Sequence, residues 1–183
     1  MTSRSSESRP IRAGRSNNVR APRSGLERRT VERPPLDDID HILLAELSID
    51  ARIPNNALAA KAGIAPSTCL TRIRALRERG VIRGFHADID PALAGRPLQA
   101  MVAVRIQPNA RSRLDPFLWD LSELPGVLNA FLLGGTYDFF VHVAAPDSTA
   151  LNDFVVEHLS SNPDVALTET SLIFQHARSP RFA

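Results

Sequence analysis

The sequence predicts an α+β chain in two units, three short helices followed by a βαββαβ unit. Three observations carry this reading. Between Leu36 and Gly80, apolar residues recur at helical spacing in three runs broken by glycine, proline and asparagine. From Leu98 onward the period switches between the two-residue alternation of strands and the spacing of helices. Within that second half, residues recur at a constant offset: Pro108 with Pro146, Asp115 with Asp153, Leu121-Ser122 with Leu159-Ser160, Pro125 with Pro163 and Val127 with Val165. These identities fall at the helix starts and helix exits of two βαβ halves, the trace of a single duplication and too few copies for a solenoid.

The first helix is expected over 38–49. Asp37 is a suitable N-cap, Asp40 favours the positive helix end, and Ile39, Ile42, Leu43 and Leu47 form the apolar face. A second short helix, capped by Asn55 or Asn56, carries Leu58, Ala59 and Ala62 and stops at Gly63. A third follows Ala65-Pro66, with Ser67 or Thr68 near its cap, and ends at Gly80. Three short helices joined by tight turns make a helix-turn-helix unit. Val81–Ile89, turning at Gly84, is expected to add two short strands as a wing, and Pro91, Gly95 and Pro97 mark a linker.

In the second half, Leu98, Ala100, Val102, Val104 and Ile106 alternate as a strand, and Leu114, Phe117, Leu118 and Leu121 make a helix. Val127–Leu133 and Tyr137–Val143 give two strands about Gly134-Gly135-Thr136. A second helix after Ser148 carries Leu151, Phe154, Val155 and Leu159, and Leu167–Phe174 is the last strand. The order is ferredoxin-like. The predicted divisions are a disordered arginine-rich tail over 1–35, a winged helix-turn-helix over 36–90, a linker over 91–97 and a βαββαβ domain over 98–178.

Charge is distributed unevenly. Of 183 residues 43% are hydrophobic, enough for a core, and the formal net charge is only +2. Residues 1–35 nevertheless hold nine arginines against three glutamates, leaving 13 of the 22 basic and 17 of the 20 acidic residues to the rest. The pI of 9.3 is thus mostly a property of the tail. Such a segment cannot bury enough apolar surface to offset its ordering entropy, but it can neutralise phosphates. Cys69 is the single cysteine, which excludes an internal disulfide framework and any multi-cysteine zinc or iron–sulfur site. On an apolar helical stripe it reads as inert core, with a redox switch as the competing role. The longest apolar stretch of the second half, Phe139–Ala145, is far short of a membrane span. The start of the chain has no apolar signal run, and Arg28-Arg29 is followed by Glu32, Arg33, Pro34 and Pro35 where a twin-arginine signal would be apolar. The expectation is a cytoplasmic chain with no membrane partner.

The third helix carries the chemistry. Cys69, Ile73 and Leu76 share one narrow stripe, while Thr68, Thr71, Arg72, Ala75 and Arg79 fall together on a neighbouring face. Short hydroxyls, an alanine and arginines suit a major groove, where arginine reads guanine and threonine or alanine touches thymine methyls. From Lys61 to Arg83 there are six basic residues and one acid, Glu78. Base-edge contacts are expected from Ser67, Thr68, Thr71 and Arg72, and phosphate contacts from Asn55, Lys61, Arg74 and Arg79 of a chain bound to double-stranded DNA.

Taken in order, these motifs resemble the Lrp/AsnC (feast/famine) regulators over roughly residues 36–178. Leu36-Asp37-Asp38-Ile39-Asp40-His41-Ile42-Leu43 is similar to the family's opening Leu-Asp-x-x-Asp-x-x-Ile-Leu. Ala65–Leu76 looks like its recognition helix, followed by the usual Gly80-Val81-Ile82, and Gly135-Thr136-Tyr137-Asp138-Phe139 is similar to the hairpin bordering its effector pocket. Thr136 stands where an acidic residue is common. The resemblance implies a transcription factor that dimerises through its sheet and assembles into tetramers, octamers or rings. It implies a small effector, usually an amino acid, held near Gly135, Thr136, Tyr137 and Asp138. Asp138 would fix an ammonium group or, alternatively, make local hydrogen bonds in the turn. No cofactor is implied.

An enzyme is the alternative, because sirohaem decarboxylases resemble the same two-domain architecture. The five histidines, His41, His86, His142, His158 and His176, stand at no metal-ligand spacing, and no nucleophile elbow, phosphate loop or dinucleotide fingerprint is present. His142, out of step with Val141 and Val143, is expected to line one sheet face.

Overall fold

The computed structural model describes residues 35–177. The expectation of disorder for the arginine-rich segment lies, apart from its last residue, outside them.

Helix α1 spans Asp38–Ile49, and the Asp37 carboxylate caps it by accepting from the Asp40 amide at 2.8 Å. α2 (Asn55–Lys61) and α3 (Pro66–Glu78) follow. Leu43, Leu58, Ala59, Ala62 and Cys69 make the buried centre, with Ile39, Leu47, Ile53, Ile64 and Ile73 packed around it. Cys69 is a buried free thiol, and burial pushes it above its ordinary pKa.

Two expected caps are corrected. Pro54 stands at the N-cap of α2 and Ala65 at that of α3, and neither helix start has a side-chain cap. Asn55 instead donates from Nδ2 to the Pro66 carbonyl at 3.0 Å, tying the start of α2 to the start of α3. The wing is also corrected, since no strand forms between Val81 and Asp90. Gly80, at φ +73°, turns the chain so that the Val81 and Ile82 amides both donate back to the Leu76 carbonyl, at 2.9 and 3.2 Å. This closes α3 and removes one arm of the hairpin. The other arm is left without a ladder, and two short strands alone are marginal. Phe85 lies under the Arg77 guanidinium, 5.9 Å from its ring centre.

The second unit is a four-stranded antiparallel sheet in the order β2-β3-β1-β4, from β1 (Leu98–Ile106), β2 (Val127–Leu132), β3 (Phe139–Ala145) and β4 (Val165–Ile173). β1 and β3 pair in full register from Leu98 opposite Ala145 to Val104 opposite Phe139. α4 (Leu114–Ser122) packs on β2, α5 (Ser148–Phe154) on β3, and a π-helical turn over Val155–Ser160 on β4. The second helix of the sequence reading is therefore two pieces, and its N-cap is Asp147, whose carboxylate accepts from the Ala150 amide. Both helices cover the face bearing Ala100, Val102, Val104, Ile106, Phe139, Val141 and Val143. The duplicated positions are equivalent in space: Leu121 and Leu159 are both buried, and Val127 and Val165 begin β2 and β4. The opposite face carries Gln99, Met101, Ala103 and Arg105 of β1 beside Phe140, His142 and Ala144 of β3; no described helix packs on it, and Ile89, Pro91 and His176 line a cavity at its His142 end.

Candidate functional site

α3 sits at the surface on a narrow base. Cys69 and Leu76 are buried, and Ser67, Thr68, Thr71, Arg74 and Ala75 are exposed along the outward side. The Thr71 hydroxyl donates to the Ser67 carbonyl at 3.0 Å, one turn back along the helix. Lys61, at the end of α2, pairs with Glu46 at 2.6 Å on the surface, a contact of the kind that exchanges readily.

The arginines of α3 divide. Arg74 has an exposed side chain, but Arg72 turns toward α1, its Nη1 within 2.8 and 2.9 Å of Asp37 and 2.9 Å of Asp40. Arg79 approaches the other Asp40 oxygen at 3.9 Å. Asp40 is only 6% exposed, so its charge is largely removed from water and depends on these partners. The Asp40 amide and the Arg72 guanidinium together hold the Asp37 carboxyl below its ordinary pKa. Asp37 and Asp40 in turn raise that of Arg72. Sequence reasoning missed the link. The two carboxylates were legible as first-turn residues of α1, but nothing local says that a helix more than thirty positions later packs its arginines against them.

In the second unit the predicted hairpin residues occupy the turn before β3, with partners that spacing does not reveal. Gly135 and Thr136 are exposed. Arg105 on β1 donates from Nε to the Thr136 carbonyl at 3.1 Å and lays its guanidinium over the Tyr137 ring at 5.6 Å. The Tyr137 hydroxyl donates to Glu169 on β4, and that bond raises the phenol pKa. Asp138 is buried: one oxygen accepts from the Ile106 amide at 2.8 Å, the other lies 3.3 Å from Arg111, and its own amide donates to the Val104 carbonyl. Its carboxylate thus ties the turn to the end of β1 and to Arg111, long-range contacts in place of the local turn hydrogen bonds that the sequence offered as the alternative.

His142 lies on the open sheet face as expected. Its ring meets Gln99 at 3.0 Å, Asn129 at 3.4 Å and the edge of His176 at a centroid distance of 6.0 Å. Burial, with His176 nearby, lowers its pKa. Among the described residues no three His, Cys, Asp or Glu side chains group as a metal site, and no helix is long and apolar enough to cross a membrane.

Comparison with known proteins matches both units. The AsnC-type helix-turn-helix domain matches residues 36–77, and the Lrp/AsnC ligand binding domain matches residues 99–181. The HTH-type transcriptional regulator AldR of Mycolicibacterium smegmatis is 54% identical over 143 residues, 78% of this chain and 84% of that protein. The crystal structure of MtbAldR superposes with a TM-score of 0.72 at 44% identity, covering 80% of this chain and 97% of that one. The regulator NMB0573 from Neisseria meningitidis, solved as a complex with L-Met, gives 0.71 at 27% identity, covering 79% and 94%. With three helices presenting α3 outward and a four-stranded sheet behind the 134–138 turn, the chain belongs to the Lrp/AsnC family of DNA-binding transcriptional regulators.

Proposed function

We propose that this regulator binds pseudo-palindromic double-stranded DNA as a dimer or a multiple of dimers and answers to a small amino acid. It works by binding, without catalysis, in the cytoplasm on the nucleoid. Its working divisions are the arginine-rich tail (1–35), the DNA-binding unit (36–90), a linker (91–97) and the oligomerisation and effector domain (98–178). The observation that carries the reading is the outward side of α3. Ser67, Thr68 and Thr71 meet base edges there, while Arg74, Lys61 and Asn55 position the unit on phosphates. Arg72 and Arg79, expected at a base edge and a phosphate, are assigned instead to the carboxylates of α1.

The second copy covers the open sheet face, where Phe131, opposite Phe140, and Leu167, opposite Arg105, stand nearly half exposed. Covering such side chains contributes about 25 cal/mol for each Å² of apolar surface removed from water. The effector lies against Gly135, Thr136 and Tyr137, with Asp138 holding the turn from beneath. Its amino-acid class rests on the L-Met complex of the Neisseria relative. The test is selection of duplexes from a randomised pool by the full chain, followed by footprinting with each common amino acid added in turn. Two-fold symmetric half-sites spaced by whole helical turns, with protection altered by at least one amino acid, are expected. No enriched sequence, or protection indifferent to every amino acid, contradicts the corresponding half of the proposal.

A further inference from the structure

The four charged groups between α1 and α3 form one cluster built across 32 to 42 positions of sequence. Asp40, 6% exposed, faces Arg72 at 2.9 Å and Arg79 at 3.9 Å, and Asp37 doubles the contact to Arg72 at 2.8 Å. Both arginines stand on the flank of α3 beside Thr68, Thr71 and Ala75. A guanidinium released on that flank would neutralise a phosphate of any duplex, adding affinity without sequence information. Held by carboxylates, it adds none.

We propose that Asp37 and Asp40 withhold the Arg72 and Arg79 guanidinium groups from DNA and thereby set how sharply α3 discriminates between sequences. The four are positioning residues, and the inference rests on the DNA-binding reading above. The cluster also orients α3: with its arginines pulled toward α1, the hydroxyl side is left facing out.

The test uses the full chain, a duplex enriched from a randomised pool by the parent protein, and a scrambled duplex of the same composition. Affinities are measured across a series of KCl concentrations. For Asp37→Asn with Asp40→Asn, binding to the scrambled duplex is expected to tighten. Its log–log salt dependence should steepen by about 0.9 for each arginine that takes up a phosphate. The preference for the enriched duplex should fall by about tenfold, the scale of one lost base pair of recognition. Adding Arg72→Gln should bring the slope back toward the parent's, and Arg72→Gln alone should leave it unchanged. If the paired Asn variant melts below the assay temperature, the whole series is measured at a lower temperature where its melting curve shows it folded, because Asp37→Asn alone leaves Asp40 holding both arginines. Parent affinity, slope and selectivity in the Asn variants overturn the proposal. So does a slope lowered by about 0.9 in Arg72→Gln, which would put Arg72 on a phosphate. No selectivity in the parent overturns the DNA-binding reading together with it.

Discussion

Asp138 joins β3 to β1 through the Ile106 amide and to the surface through Arg111. Asp138→Ala leaves that buried amide without an acceptor, which costs about 1–3 kcal/mol. Asp138→Asn keeps one acceptor oxygen and should lose less. Urea unfolding of the two variants checks the order, and equal losses would mean that the carboxylate contributes only its charge. His142 makes a pH prediction. Its folded pKa lies below the ordinary imidazole value of about 6.5, so the unfolded chain takes up the proton first. The stability is fully present above that value and is lost as pH falls through it toward the lower folded pKa. His142→Gln, which keeps a hydrogen-bonding side chain beside Gln99, should flatten the melting temperature in that window. Asp37, whose pKa is also lowered, acts only in the more acid range below the ordinary carboxylate value, so the two effects separate.

At the scale of elements, α3 combines a short apolar stripe with a C-terminus that depends on Gly80 at φ +73°. A Cβ there meets no neighbouring atom within 4 Å, so the cost of Gly80→Ala is conformational, about 1–2 kcal/mol, readable as a lower denaturation midpoint. On DNA, Arg74→Ala should weaken enriched and random duplexes alike and lower the salt slope by about 0.9. Loss on the enriched duplex alone would make Arg74 a base reader. The helices were legible in the sequence to the residue at α1, because its capping aspartate and apolar spacing are local signals. The caps of α2 and α3 were not, because Asn55 spends its amide on Pro66 and Pro54 and Ala65 take the cap positions. The wing failed for a related reason: apolar residues on either side of a Gly84 turn mark a segment able to form strands, whereas a strand also needs a partner. The same limit hid Glu169, Arg105 and Arg111, each brought to the 134–138 turn by sheet register or chain closure.

For the whole molecule, the sheet with one helix-covered and one open face predicts self-association. Phe131→Asp places a charge on the open face at a side chain already 46% exposed, so the subunit should fold while its sedimentation shifts to monomer. An unchanged sedimentation coefficient would place the interface elsewhere. Beginning the chain at Leu36 removes nine arginines and should make the salt dependence shallower with the choice of sequence intact.

All of this turns on whether the outward side of α3 reads sequence. The most direct measurement is the affinity of the parent chain and of a Thr68→Ala, Thr71→Ala variant for the enriched and random duplexes at one salt concentration. The variant is expected to lose about 1–3 kcal/mol on the enriched duplex and nothing on the random one. Undiminished preference in the variant, or equal loss on both duplexes, would contradict it.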